Sequence, residues 1–358
     1  MMTNEKSLRE IADSQRQESA PASASQREVP SGNRRVPTAG VYASRRATPF
    51  RRITTKVLVA YFVYNAVLAI FLAELLFHPQ RLPMGHRAAA EATAARFGAT
   101  LNDVSVRSAD GAVLRAWFSR PARSNGDAVI LLHGLGGNRD YMQRYVPLFL
   151  AHGYSVLVPD SRAHGLSGGG FPTYGIKEAD DVHAWHNWLE FHEGSNCVFG
   201  LGESMGAAVV LQAASTTPFC AVVAEGSFAT FREVMYIRIG QVCHTGQWLG
   251  RTILGPAVEL AFLYGWLTHG VNLASASPEE RVAGSHVPVL LIHGLDDHNL
   301  PPRQSEMIRA RNPGEITLWE VPNAGHCAAL RVAPAEFVRR VIGWFQQHDA
   351  RPPKVTPR

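Results

Sequence analysis

Ser204 lies in the segment Gly202-Glu203-Ser204-Met205-Gly206, between an apolar run that ends at Leu201 and a stretch of helical character that follows at once. A serine on so sharp a strand-to-helix turn presents its hydroxyl as a nucleophile, and small residues two positions to either side let the backbone fold back on itself. The start of the helix adds a field that favours developing negative charge. Three further segments carry the rest of an acyl-transfer site. His133-Gly134-Leu135-Gly136-Gly137-Asn138 is a glycine-rich loop, and its Leu135 amide pairs with that of Met205 as an oxyanion hole. The doublet Asp296-Asp297 offers a carboxylate to orient an imidazole, and Asn323-Ala324-Gly325-His326 offers the imidazole.

These segments need a scaffold that ends many strands on one edge. Short β-branched runs at Ala128–His133, Ser155–Pro159, Cys197–Leu201, Ala221–Ala224, Val289–His293 and Ile316–Val321 read as strands. Helical stretches near Arg139–His152, Glu178–Phe191, Met205–Ser215, Arg303–Arg309 and Glu336–Gln347 alternate with them. An Ala-rich helix at Arg87–Phe97 and a hairpin, Val104–Arg107 with Val113–Phe118 about Asp110-Gly111, precede the alternation. Strand–helix alternation implies a parallel sheet covered on both faces. Residues 228–285 interrupt the rhythm and read as a cap insertion.

The chain resembles the α/β-hydrolase superfamily over residues 100–348, through HGLGGN, GESMGAA, HGLDDHNLP, NAGH and the segment 160–168. The last segment, with Tyr174-Gly175 and Glu178, Asp180 and Asp181, resembles the esterase and serine-aminopeptidase-like branch. The resemblance implies a mostly parallel eight-stranded sheet with helices on both faces and a helical cap, and a Ser204–Asp297–His326 triad. The family pattern H-G-x-x-D-x-x-V-P places Asp297 as the acid, with Leu300 in the valine position and Asp296 capping the turn. The activity implied is hydrolysis of an acyl ester through an acyl-enzyme. Amidase or peptidase and thioesterase chemistry are the alternatives on the same triad, and a non-catalytic binding module is the alternative outside enzymology.

The N-terminal segments are of a different kind. Residues 1–50 are rich in Ser, Ala, Gln, Arg and Pro and read as a disordered basic tail. Residues 51–78 read as a single transmembrane anchor, because Val57 to Phe77 contains only Asn65 and Glu74 as strongly polar groups. Arg45, Arg46, Arg51, Arg52 and Lys56 flank it on one side. The positive-inside rule then puts the N-terminus in the cytoplasm and the hydrolase domain, 79–350, on the far side of the membrane; 351–358 reads as a flexible tail. Residues 1–56 hold 11 basic and 5 acidic side chains, whereas 57–350 hold 21 and 25, so the basic character belongs to the tails and a nucleic-acid partner is not expected.

The remaining positions are expected to be structural. His133, His164 and His293 read as hydrogen-bonded loop residues, and His183 and His186 as part of a solvated helix face. No metal or organic cofactor is expected. Cys197 and Cys220, each opening a strand, read as small buried hydrophobes, and a Cys243–Cys327 pairing stays open. The apolar stretch 252–267 is too short to span; it is expected to pack over the pocket, or to bind an acyl chain or touch the bilayer. The expected partners are a small-molecule or lipid-like acyl substrate and the membrane.

Overall fold

The computed structural model describes residues 49–349; the tails expected at 1–50 and 351–358 lie outside the described residues apart from Pro49 and Phe50, which open the first helix. The strands are β1 (Leu101–Arg107), β2 (Val113–Ser119), β3 (Ala128–Leu132), β4 (Ser155–Pro159), β5 (Val198–Glu203), β6 (Ala221–Glu225), β7 (Val289–Gly294) and β8 (Ile316–Val321). They form one eight-stranded sheet in the order β1-β2-β4-β3-β5-β6-β7-β8. β1 and β2 are antiparallel, β2 also runs antiparallel to β4, and the rest are parallel. Every residue of β3, β4, β5, β6 and β7 is buried, which accounts for their unbroken apolar runs.

The helices are α1 (Pro49–Phe77), α2 (Arg87–Ala95), α3 (Val146–Ala151), α4 (Glu178–Glu193), α5 (Met205–Ala213), α6 (Phe231–Cys243), α7 (Trp248–Arg251), α8 (Gly255–His269), α9 (Pro278–Val282), α10 (Arg303–Arg311), α11 (Ala329–Val332) and α12 (Pro334–Gln347). Side chains that alternate along the strands feed two cores. Ile130, Leu132, Val222 and Leu291 pack with Trp185 of α4, α5 and Ile308 of α10. Val129, Leu131, Phe199 and Ile292 pack on the opposite face with Phe149 of α3 and Phe337 and Phe345 of α12. The single helix expected at 139–152 is a 3₁₀ turn, Arg139–Arg144, followed by α3, whose first turn holds Pro147; proline has no N–H with which to extend the helix backward.

Two expectations are corrected. Cys197 and Cys220 form a disulfide, with Cα atoms 5.8 Å apart, because β5 and β6 are parallel neighbours and both cysteines enter at the same end. Cys243 and Cys327 are both free. His186 is buried rather than solvated, because α4 turns it edge-on to Phe219.

Helix α1 is long and apolar enough to cross a membrane. Its second half also packs on the body. Tyr61, Asn65, Ala69, Ala73 and Phe77, spaced by four, share one face. Tyr61 Oη donates to the Ile253 carbonyl at 2.7 Å. The Ala257 N–H donates to Asn65 Oδ1 at 3.1 Å, and Tyr264 Oη donates to Glu74 at 2.8 Å. Ala69 and Ala73 meet Ala261, and Phe77 fills the space left by Gly265 and stacks on His269. The opposite face, including Phe62, Val63, Val67, Ile70 and Phe71, is exposed.

Candidate active site

Ser204 has φ 52° and ψ −113°, a strained backbone for a residue with a side chain. The flanking glycines make it possible: a Cβ on Gly202 would come within 2.2 Å of the Gly206 carbonyl, and one on Gly206 within 2.2 Å of the Leu132 carbonyl. The Ser204 amide donates to the Glu225 carbonyl of β6 at 2.9 Å, which fixes the turn against the sheet.

Ser204 Oγ lies 2.9 Å from His326 Nε2, and His326 Nδ1 lies 2.7 Å from Asp297 Oδ2. A carboxylate accepts only, so Nδ1 carries the proton and Nε2 turns a lone pair toward the serine hydroxyl. Asp297 is buried, and its second oxygen accepts the N–H groups of Asn299 at 2.8 Å and Leu300 at 2.9 Å. Burial alone would raise its pKa, but hydrogen bonds from His293 and His326 outweigh that and hold it well below the usual carboxylate range. Asp296, the other member of the doublet, is exposed. His293 donates from Nε2 to the Leu300 carbonyl at 2.8 Å, leaving Nδ1 to accept from Ser305 at 2.6 Å.

The glycine loop approaches the serine closely enough that a Cβ on Gly134 would lie 3.3 Å from Ser204 Cβ. Leu135 and Met205 flank the same point, and among the described residues no protein acceptor takes either amide. Two neutral histidines brace this loop. His133 Nε2 accepts the Ser161 N–H at 3.0 Å, and His164 Nε2 accepts the Gly136 N–H at 3.1 Å. Their Nδ1 atoms donate to the Gly134 and Arg162 carbonyls. Burial, with His164 nearby, pushes His133 down to about 4, and burial lowers His164 as well. Beneath them Asp160 takes a buried pair of hydrogen bonds from Arg139, at 3.0 and 2.7 Å, and the Arg139 and Leu166 amides besides.

Behind the serine, Glu203 accepts from Arg144 and from Tyr145 Oη, and Tyr145 Oη lies 3.2 Å from Glu225 Oε2. The Ala329 N–H donates to the other Glu225 oxygen at 2.8 Å, tying the His326 loop to β6. Tyr145 has one proton and Glu203 takes it, so the second contact is filled when Glu225 is the protonated partner. Burial, then the Glu203 carboxyl, raises Glu225 to about 7.

The cleft over Ser204 measures about 370 Å³ and is lined by Leu82, Leu135, Tyr141, Arg144, Arg238 and Asn299, together with His326. A second hollow of about 650 Å³ is lined by Ile237, Gln241, His244, Asp297 and Pro302, and neither Ser204 nor His326 reaches it. The sequence reading did not single out Arg144 or Arg238, which stand outside every motif.

Residues 129–340 match the family described as the alpha/beta hydrolase family, and the chain belongs to it. The uncharacterized protein YqkD of Bacillus subtilis (strain 168) is 29% identical over 206 residues, 56% of this chain and 65% of YqkD, so the match spans a little under two thirds of that relative. An uncharacterized protein of Mycobacterium tuberculosis (strain ATCC 25618 / H37Rv) is 28% identical over 63% of this chain and 72% of its own. Among solved structures, the Pyrococcus furiosus esterase Pf2001 superposes with a TM-score of 0.60 at 26% identity, covering 76% of this chain and 98% of the esterase. An acylaminoacyl peptidase of Pyrococcus horikoshii shares the fold, with a TM-score of 0.52 at 16% identity over 72% of this chain and 43% of the peptidase. The chain thus has the fold of this family and, among the described residues, one N-terminal helix long and apolar enough to span a membrane.

Proposed function

We propose that the protein is a membrane-anchored serine hydrolase that cleaves an acyl ester. The observation that carries this is the chain of contacts from Ser204 Oγ through His326 to Asp297, at 2.9 and 2.7 Å, on a strained turn. Ser204 Oγ attacks the acyl carbonyl as His326 Nε2 takes its proton, and the Met205 and Leu135 amides hold the resulting oxyanion. Asp297 keeps the imidazole in the required tautomer and stabilises the imidazolium. The C–O bond to the alcohol breaks as His326 returns the proton to the departing oxygen. Water, deprotonated by the same imidazole, then releases the acid and restores Ser204. The likeness to the esterase Pf2001 supports an ester as substrate.

Helix α1 is the anchor. Its exposed apolar face and the basic residues before it support a crossing with the N-terminus in the cytoplasm. The Cys197–Cys220 bridge fits a hydrolase domain on the oxidising side.

The test is fluorophosphonate labelling of membrane fractions containing wild type or Ser204→Ala, followed by turnover of matched ester, thioester and amide substrates. Labelling confined to wild type, with ester cleavage fastest, is the expected result. Turnover retained in purified Ser204→Ala protein overturns the assignment, and amide cleavage without ester cleavage replaces esterase by amidase.

A further inference from the structure

Several arginines near the site and on the helices between β6 and β7 are matched with acids. Arg139 meets Asp160, Arg144 meets Glu203, Arg162 meets Asp181 and Asp110, Arg232 meets Glu259, and Arg251 meets Glu233. Arg238 departs from this pattern. It projects from α6 into the cleft that Ser204 and His326 line. Its Nη1 donates to Gln241 Oε1 at 2.9 Å and to Asn299 Oδ1, both neutral amides. Among the described residues no carboxylate oxygen lies within 4.0 Å of it.

The guanidinium is nevertheless held in place. Gln241 Nε2 donates to the carbonyls of His298 and Asn299 at 2.7 and 3.1 Å, which locks α6 to the loop after β7. The Asn299 backbone N–H in turn donates to Asp297. Arg238 is thereby referenced to the same carboxylate that orients His326, while its Nε and Nη2 donors have no protein acceptor among the described residues. Partial desolvation lowers its pKa, with Asp297 the opposing influence. The other cation on this wall, Arg144, is neutralised by Glu203.

A positioned guanidinium with an open edge is a receptor for paired anionic oxygens. We infer that Arg238 binds an anionic group, carboxylate or phosphate, carried by the ester cleaved at Ser204, so that the substrate class is an anionic ester. This rests on the reading of Ser204 as the nucleophile.

The experiment compares kcat/KM within two pairs of esters, using wild type, Arg238→Gln and Arg238→Lys. One pair is p-nitrophenyl butyrate against p-nitrophenyl hemiglutarate; the other is monoacylglycerol against the corresponding acylglycerol phosphate. Wild type is expected to prefer the anionic member of at least one pair. Arg238→Gln should cut that preference roughly 10- to 100-fold, as loss of a charge-assisted contact does, with the change carried by KM. Arg238→Lys should restore part of it, and added salt should narrow it in wild type. A response confined to one pair identifies the carboxylate or the phosphate as the group bound. An unchanged preference in Arg238→Gln for both pairs overturns the inference. Calorimetry of glutarate and glycerol phosphate with Ser204→Ala protein, with and without Arg238→Gln, reads the same contact without turnover. If fluorophosphonate fails to label wild type, that measurement still decides for or against Arg238, and the failure belongs to the hydrolase reading alone.

Discussion

Below Ser204, in the loops 133–138 and 160–167, polar groups are buried and matched: Asp160 with Arg139, Arg162 with Asp181, and His133 and His164 with backbone amides and carbonyls. Above it, between β6 and β7, the helices carry exposed Trp248, Leu263, Trp266 and Leu267, and an arginine, Arg238, with no acid partner among the described residues. The lower region fixes atoms that must not move in the proposed acyl transfer, since misplacement of a positioned group by about 1 Å can cost 100-fold. The upper region holds its groups by fewer and more solvated contacts, and it is where selectivity among substrates can vary without disturbing the chemistry.

The largest expected effect belongs to the lower region. Asp297→Asn should lower kcat by about 10⁴, because the amide favours the wrong imidazole tautomer, while Asp296→Asn should stay within a few-fold. Steady-state assays on an activated ester separate the two, and equal losses would blur the distinction between buried and exposed carboxylate. Asp160→Asn comes next. It leaves buried Arg139 with only the exposed Asp103 carboxylate, 3.7 Å away, and should cost about 3–5 kcal/mol, read as a fall in the urea midpoint.

Glu225, between the two regions, provides a test by pH. Its folded pKa of about 7 exceeds the ordinary 4.5, so the folded state holds a proton that the unfolded state has lost over that interval. Stability should therefore fall as pH rises from 4.5 to 7 and level off above. Glu225→Gln can donate to Tyr145 and accept from Ala329 at any pH, and should flatten that slope in melts at several pH values. Smallest is Arg232→Gln, which breaks a solvent-exposed pair with Glu259 on the upper helices and should change stability by less than about 1 kcal/mol. A loss as large as that of Asp160→Asn would erase the contrast.

Much of this was legible in the residues. Six strands announced themselves as β-branched runs and the first two as a hairpin, while their number in one sheet came from the family resemblance; the glycines around Ser204 have a steric reason that a sequence can carry. The Cys197–Cys220 bridge was not legible, because it depends on β5 and β6 being neighbours, which sheet order decides. Nor was the partner of Asp160, since Arg139 lies 21 residues away in another loop. The seat of α1 was hidden in a different way. Asn65, Ala69 and Ala73 do mark a face, but within a run apolar all round they look like ordinary members of a membrane span. Arg238 is defined by what does not meet it, and that requires the tertiary structure.

The seam between α1 and α8 means that the helix proposed as the anchor is also a structural member. A protease that cut the chain just after Phe77 and let the helix go would strip Ala261 and Gly265 of their cover and leave the Ala257 amide without Asn65. The shed body would keep the Ser204–His326–Asp297 contacts yet carry a raw apolar groove, prone to clump or to cling to detergent. On the proposed function, loss of α1 would then inactivate the protein by exposing that groove, not by damage to Ser204, Asp297 or His326.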